Sequence, residues 1–227
     1  MDPYFYNLLF KLKKGRISID PNIPIAYLIA LFIRKKIRLI YGIIKLKKFV
    51  KAELAFSCRI LCASKIQAPY GFTAQEHSYI DALSVNGVQF GSGVTLGKYT
   101  RIECTGSFNN LGKGLVVGDN TGLGADSFFG CAGGIVIGSN VMFGNYVSCH
   151  SENHNFTDTT LPMNEQGVSR VGIKIGNDCW IGAKSTILDG AVIEDGCVVA
   201  AGAVVTSGFY PQNSIIAGVP ARVIKTR

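Results

Sequence analysis

Within residues 90–208 an aliphatic residue, an aromatic or a cysteine comes back every sixth position, and this period limits the folds open to the chain. The cleanest register is Ile175, Ile181, Ile187, Ile193, Val199 and Val205. Ile137, Phe143 and Cys149 keep the same step, as do Val117, Leu123 and Phe129 and, before them, Phe90, Leu96 and Ile102. A period of six matches neither a helix, at about 3.6, nor a flat strand, at about two. The rest of each hexad tells how the chain turns. With the recurrent residue as i, position i+1 is mostly Gly, and i+3 is usually Gly, Asn or Asp, as in Gly93, Asn120, Asp126, Asn140, Asp178, Gly196 and Gly202. These residue types enter the left-handed region at low cost, so each hexad carries a corner. Position i+4 is small or β-branched, as in Val94, Thr121, Val141, Ser185 and Ala203. Between corners the chain is extended, which turns i and i+4 inward and i+5 outward.

Short strands joined by corners, three to a turn, stack as coils about 4.7 Å apart. Hexads of this form resemble those of the hexapeptide-repeat acyltransferases, and the resemblance covers roughly residues 80–227. It implies a mainly β fold, a left-handed parallel β-helix; the handedness comes from the resemblance and not from the spacing. The organisation expected is a basic helical segment over 1–51, a transition over 52–79, the β-helix over 80–208 with an extruded loop at 155–173, and a C-terminal cap over 209–227. The stretch from Glu103 to Leu115 reads as an irregular coil or short loop. A solenoid needs no single globular core, because each coil buries its inward residues against its neighbours.

Seven cysteines, with no CxxC pair, do not form a disulfide framework. Cys149, Cys179 and Cys197 fall on inward positions as small apolar fillers, which fits a reduced, cytoplasmic protein. The formal charge of +8 is uneven. Residues 1–51 hold twelve Lys or Arg and two Asp, a net +10, and the other 176 residues hold eleven basic and thirteen acidic residues, a net −2. Residues 1–16 are aromatic and amphipathic, with Lys11, Lys13, Lys14 and Arg16 at their end. Asn22 and Pro24 read as the start of a helix in which Leu28, Ile29, Phe32, Ile33, Ile37, Ile40, Ile43 and Ile44 keep helical spacing. Its uninterrupted apolar part is too short to span a bilayer, and it has no signal-peptide form. Two readings follow: the segment packs on the solenoid or on other subunits, or it lies on the inner face of the cytoplasmic membrane. Nucleic acid is not expected as a partner, since no binding motif accompanies the charge. His77 reads as structural or solvated.

The only paired histidines, His150 and His154, directly precede the polar loop, and IGNDCW at 175–180 follows it with the only Trp. Carrying the hexad register through Cys149 puts His154 at an outward i+5 position, as it does Trp180. This His, loop and IGxxxW combination is similar to that of the sugar-modifying branch of the family. The resemblance implies His154 as general base, with His150 as the second candidate, and Glu152 or Asp158 as candidates to orient it. It further implies acetyl-CoA as donor in a groove between subunits of a homotrimer. The positions matching the family's coenzyme contacts are Trp180, Ala183, Ala201, Gly202 and Thr206. Arg222 and Lys225, in AGVPARVIK at 217–225, stand ready to grip phosphates. Members of the family commonly have Thr-Lys where this chain has Thr206-Ser207. Because His154 and Trp180 flank a corner, a site completed by two subunits is expected.

The implied activity is O-acetylation of a hydroxyl on a bacterial surface-polysaccharide sugar, with no metal. Amino-sugar N-acetylation and serine acetylation use the same scaffold. A zinc carbonic anhydrase needs a third convergent histidine, and only the distant His77 remains. A glycan-binding solenoid without catalysis requires neither the histidine pair nor the Trp.

Overall fold

The structure, a computed structural model, describes residues 20, 22–46, 51–68 and 70–227. The basic stretch at 1–16 and Lys47 and Lys48 lie outside the described residues. The chain divides into two units, Met1–Ile37 and Arg38–Arg227. In the first, Asn22 does not cap the helix: its side chain donates to Asp20 Oδ1 at 2.9 Å. The carbonyl of Pro24 accepts the first helical bonds, from Tyr27 and Leu28. One helix, Ile25–Leu46, begins in this unit and ends in the second.

The second unit is a left-handed parallel β-helix with three faces. The first face is a nine-stranded sheet, and the second and third have seven strands each. Each coil visits the faces in that order, as in Trp180–Ile181, Thr186–Leu188 and Ala191–Ile193. Parallel pairing then links a residue to its counterpart one coil on, Trp180 to Val198 across three hexads. The inward set is as the hexad requires. The i residues from Phe90 to Val205 are buried, and so are the i+4 residues, including the polar Thr100, Thr121, Ser127 and Ser185. Thr121 Oγ1 donates to the Gly138 carbonyl at 2.9 Å and Ser185 Oγ to the Gly182 carbonyl at 2.8 Å, so the small polar residues bring their own partners inside.

The array starts earlier than its period shows. Residues expected as a transition form the first coil, Glu53–Leu54, Arg59–Leu61 and Ile66–Gln67, and the opening strand of the second, Thr73–Ala74, which Tyr79–Asp81 and Val88–Phe90 complete. Their spacing is irregular because longer corners, residues 62–65 and 82–87, break the count of six. Phe72 stacks on Phe90 with centroids 4.3 Å apart, both rings buried in the core. At the first coil, Leu46 joins the core and the Tyr41 ring meets Phe56 at 4.8 Å, so the end of the helix covers an otherwise open coil. At the other end Ala221–Thr226 turns back antiparallel on Ser214–Gly218 and closes the sheet edge.

The corners are not alike. Every i+3 residue named above has positive φ, between 52° and 72°. Between the third and first faces, side chains staple successive coils. Asp119 Oδ1 accepts from Ser92 N at 2.7 Å, Asn177 Oδ1 from Ser139 N at 2.8 Å, and Asp195 Oδ1 from Asn177 N at 2.6 Å. Between the first and second faces the left-handed residues include His77, Tyr99, Tyr146 and Lys184, which the hexad does not lead one to expect there. His77 stacks on Tyr99 at 4.9 Å, a contact between coils that helps hold both. Gly144 is needed for a different reason: a Cβ there would lie 2.5 Å from the Ala183 nitrogen of the next coil.

Candidate active site

The chain leaves the stack twice at the corner between the second and third faces. After Arg101–Glu103 it forms a short hairpin, Gly106–Ser107 with Asn110–Leu111, where the sequence suggested an irregular coil or short loop. Two coils later, after Ser148–His150, it forms a second hairpin, Asn153–His154 with Val168–Ser169, and rejoins the third face at Ile173–Ile175. The excursion therefore spans residues 151–172, not 155–173. This corrects the placement of His154: the hexad register ends at His150, and His154 stands on the hairpin, paired with Val168, not on a coil. A run of polar residues gave no sign that the chain departs four residues sooner.

Three side chains outside the sequence-derived set hold this excursion. Arg170, nearly buried, donates from Nε to Glu152 Oε2 at 2.5 Å and from Nη1 to both the carbonyl and Oδ1 of Asn110 at 2.9 Å. It thus ties the two excursions together. Asp189, at the corner one coil on and 3% exposed, accepts from the Val171 and Gly172 nitrogens at 3.1 and 2.6 Å. Asn153 Nδ2 reaches the same carboxylate at 3.5 Å, one residue before His154. The signals available beforehand were slight: Arg170 is the only Arg between Arg101 and Arg222, and Asp189 is an acid beside a corner glycine.

His154 is exposed on the wall of a cleft of about 660 Å³, which Phe156, Asp158, Leu161, Glu165 and Gln166 also line. The Gln166 amide donates to the carbonyls of Asp158 and Leu161 at 2.8 and 3.0 Å, fixing the far wall. Both carboxylates expected to orient His154 have other hydrogen-bond partners. Glu152 is taken by Arg170. Asp158 accepts from the Thr160 hydroxyl at 2.6 Å and its nitrogen at 2.9 Å, bonds that hold its carboxyl below the usual range.

His150 lies on the outer side of the second face, between Gly130 of the preceding coil and Leu188 of the next. Its Nε2 is 2.5 Å from Ser148 Oγ, and its ring is tilted against Phe128 at 5.4 Å. Partial burial disfavours the charged ring and pushes its pKa below the ordinary imidazole value. His150 is thus anchored where its charged form is disfavoured, and His154 is open to solvent.

The coenzyme positions divide between two edges of the stack. Trp180 is on the first face, 54% exposed, between Met142 and Val198. Ala183, Ala201 and Gly202 follow at the corner to the second face, where Gly202 N donates to the Ala183 carbonyl at 2.9 Å. Arg222 and Lys225 are exposed on the last strand of the first face. Thr206 is on a different corner, between the second and third faces, where its carbonyl accepts from the Tyr210 hydroxyl at 3.1 Å. The structure does not bring these seven residues to one edge, and none of them lines the His154 cleft, although Thr206 is on the corner from which the His154 hairpin leaves. Among the described residues no three His, Cys, Asp or Glu side chains converge as a metal-holding group.

The profile of the bacterial transferase hexapeptide family (six repeats) matches residues 172–207. A probable acetyltransferase of Mycobacterium tuberculosis is 34% identical over 132 residues, 58% of this chain and 44% of that protein. The chain thus matches less than half the length of that relative. An Escherichia coli K12 protein named "Putative lipopolysaccharide biosynthesis O-acetyl transferase" is 27% identical over 146 residues, 61% of this chain and 71% of that protein. Among solved structures, an N-acyltransferase of Bacillus cereus with dTDP and 3-hydroxybutyryl-CoA aligns at TM-score 0.56 and 19% identity, over 78% of this chain and 80% of that one. A hexapeptide-repeat acetyltransferase of Vibrio cholerae with acetyl-CoA aligns at 0.50 and 24%, over 60% and 69%. At these identities the structures share the fold.

Proposed function

We propose that this hexapeptide-repeat protein, built on the coils of the bacterial transferases, moves an acetyl group from acetyl-CoA to a hydroxyl of a bacterial surface-polysaccharide sugar. The observation that carries the reading is His154 on the wall of a cleft whose base is tied down at Asp189 and Arg170. A sugar hydroxyl is a poor nucleophile near neutral pH, so transfer needs a base at the attacking oxygen. In this reading neutral His154 takes the hydroxyl proton as the oxygen bonds to the thioester carbonyl carbon. The carbon–sulfur bond then breaks, and the thiolate leaves with the proton that the imidazolium returns. The products are the acetyl ester and free coenzyme.

Trp180, Ala183, Ala201 and Gly202 line one edge, and His154 projects beyond another. That separation supports a groove completed by a second copy, in which the Trp180 edge of one subunit faces the His154 cleft of its neighbour in a trimer. Arg222 and Lys225, exposed on the closing strand, are the cations for the nucleotide phosphates, with Ser207 in place of the lysine common in the family. The seven free cysteines, six of them buried, suit the cytoplasm, where acetyl-CoA is made. The Escherichia coli relative's name favours an oxygen acceptor over a nitrogen one. His150 is a second reading for the base, because it is the imidazole with a fixed hydroxyl partner, Ser148 Oγ.

Calorimetric titration with acetyl-CoA, followed by mass-spectrometric detection of acetyl transfer to sugar acceptors, tests the proposal. Saturable binding near one site per subunit and acetyl-ester formation are expected. Absence of binding at millimolar coenzyme would overturn it.

A further inference from the structure

The helix Ile25–Leu46 presents more apolar surface than its packing uses. Leu28 and Leu46 are buried, but Ile29, Phe32, Ile33, Ile37, Ile40 and Ile44 are 42–67% exposed. Their steps of three and four residues put them on one side of the helix, in a stripe about 22 Å long. The same helix carries Arg34, Lys35, Lys36, Arg38 and Lys45 and no acid. Arg34 and Lys45 border the stripe, and Lys36 lies over the Phe32 ring at 5.2 Å. Arg38 is engaged with Glu76. Single exposed apolar residues are ordinary, but six in one line on a basic helix mark an interaction surface.

The charge selects the occupant. A second copy laid on this stripe would bring Arg34, Lys36 and Lys45 against the same cations, with no acid on the helix between them. No helix among the described residues is long and apolar enough to cross a membrane. We infer that the stripe lies flat on an anionic lipid bilayer, its isoleucines inserted at the headgroup boundary and Arg34, Lys36 and Lys45 among the lipid phosphates. The net +10 of residues 1–51 adds to the same attraction. This inference stands on the helix alone and not on the acetyl-transfer reading.

The full chain and its Ile33→Glu/Ile40→Glu variant would be floated with vesicles of phosphatidylcholine alone and with about one third phosphatidylglycerol. Particle mass would be followed by light scattering. Binding to the anionic vesicles only, lowered by salt and at least about tenfold weaker in the variant, is expected, with helix content and particle mass unchanged. Equal flotation of both proteins, equal binding to the neutral vesicles, or no flotation at all would overturn the inference. A smaller particle in the variant would also overturn it, by showing a second copy on the stripe.

Discussion

The coil stack and the excursion at residues 151–172 are neighbours held by different forces. In the stack each inward residue repeats the role of its counterpart one coil away. Cohesion comes from burial spread over Phe90 to Val205 and from backbone pairing at every strand. The excursion buries little and depends on a few polar ties, Arg170 to Glu152 and Asn110, and Asp189 to the Val171 and Gly172 nitrogens and Asn153. Damage to the stack is therefore expected to lower the stability of the whole unit. Damage to the excursion should change the site while the fold survives.

The largest effect should separate the two regions completely. His154→Ala is expected to lower turnover by about 100- to 10,000-fold, with thermal unfolding and coenzyme affinity unchanged. Near-normal turnover would transfer the base role to His150. Next, Ile181→Ala, at a fully buried i position, should cost about 2–5 kcal/mol in denaturant unfolding, because neighbouring coils cannot collapse into the gap.

Arg170→Ala removes the tie between the two excursions and leaves Glu152 without its partner. A loss of about 1–3 kcal/mol is expected. Hydrogen exchange should quicken in 151–172 and around Asn110 and stay unchanged in the coils. Uniform exchange across the unit would break the distinction drawn above.

The smallest effect concerns pH. His150 has its folded pKa below the ordinary value, so the unfolded chain takes up a proton first as pH falls through about 6.5. Stability from this group is therefore full above that pH and declines below it, until the folded ring also protonates. His150→Gln should flatten that part of the stability profile. An unchanged slope would show that the imidazole is not held neutral by its surroundings.

Much of the stack was legible because its determinants are local. A residue every sixth place, with Asn120, Asn140 or Asp178 at the corner, fixes both which side is buried and where the chain turns. The first coil and the opening of the second were missed because the corners at 62–65 and 82–87 are longer, although the side chains there are buried in the same way. Tyr99, Tyr146 and Lys184 at left-handed corners were missed because backbone bonds to the preceding coil, from their nitrogens to the carbonyls of Glu76, Ala125 and Asn145, and not residue type, hold them there.

The candidate site was legible in part. The pairing of His150 and His154 with a polar loop and Trp180 marked its neighbourhood. The departure of the chain at residue 151, the engagement of Glu152 and Asp158 elsewhere, and the anchoring by Arg170 and Asp189 were not visible. The sequence by itself determined the period, the corners and the inward set, since those follow from residue types within one hexad. Only the tertiary structure decided which polar side chains meet, because Arg170 reaches Asn110 across sixty positions and Asp189 reaches Asn153 across thirty-six. Such contacts exist only once the coils have stacked and brought remote corners into line.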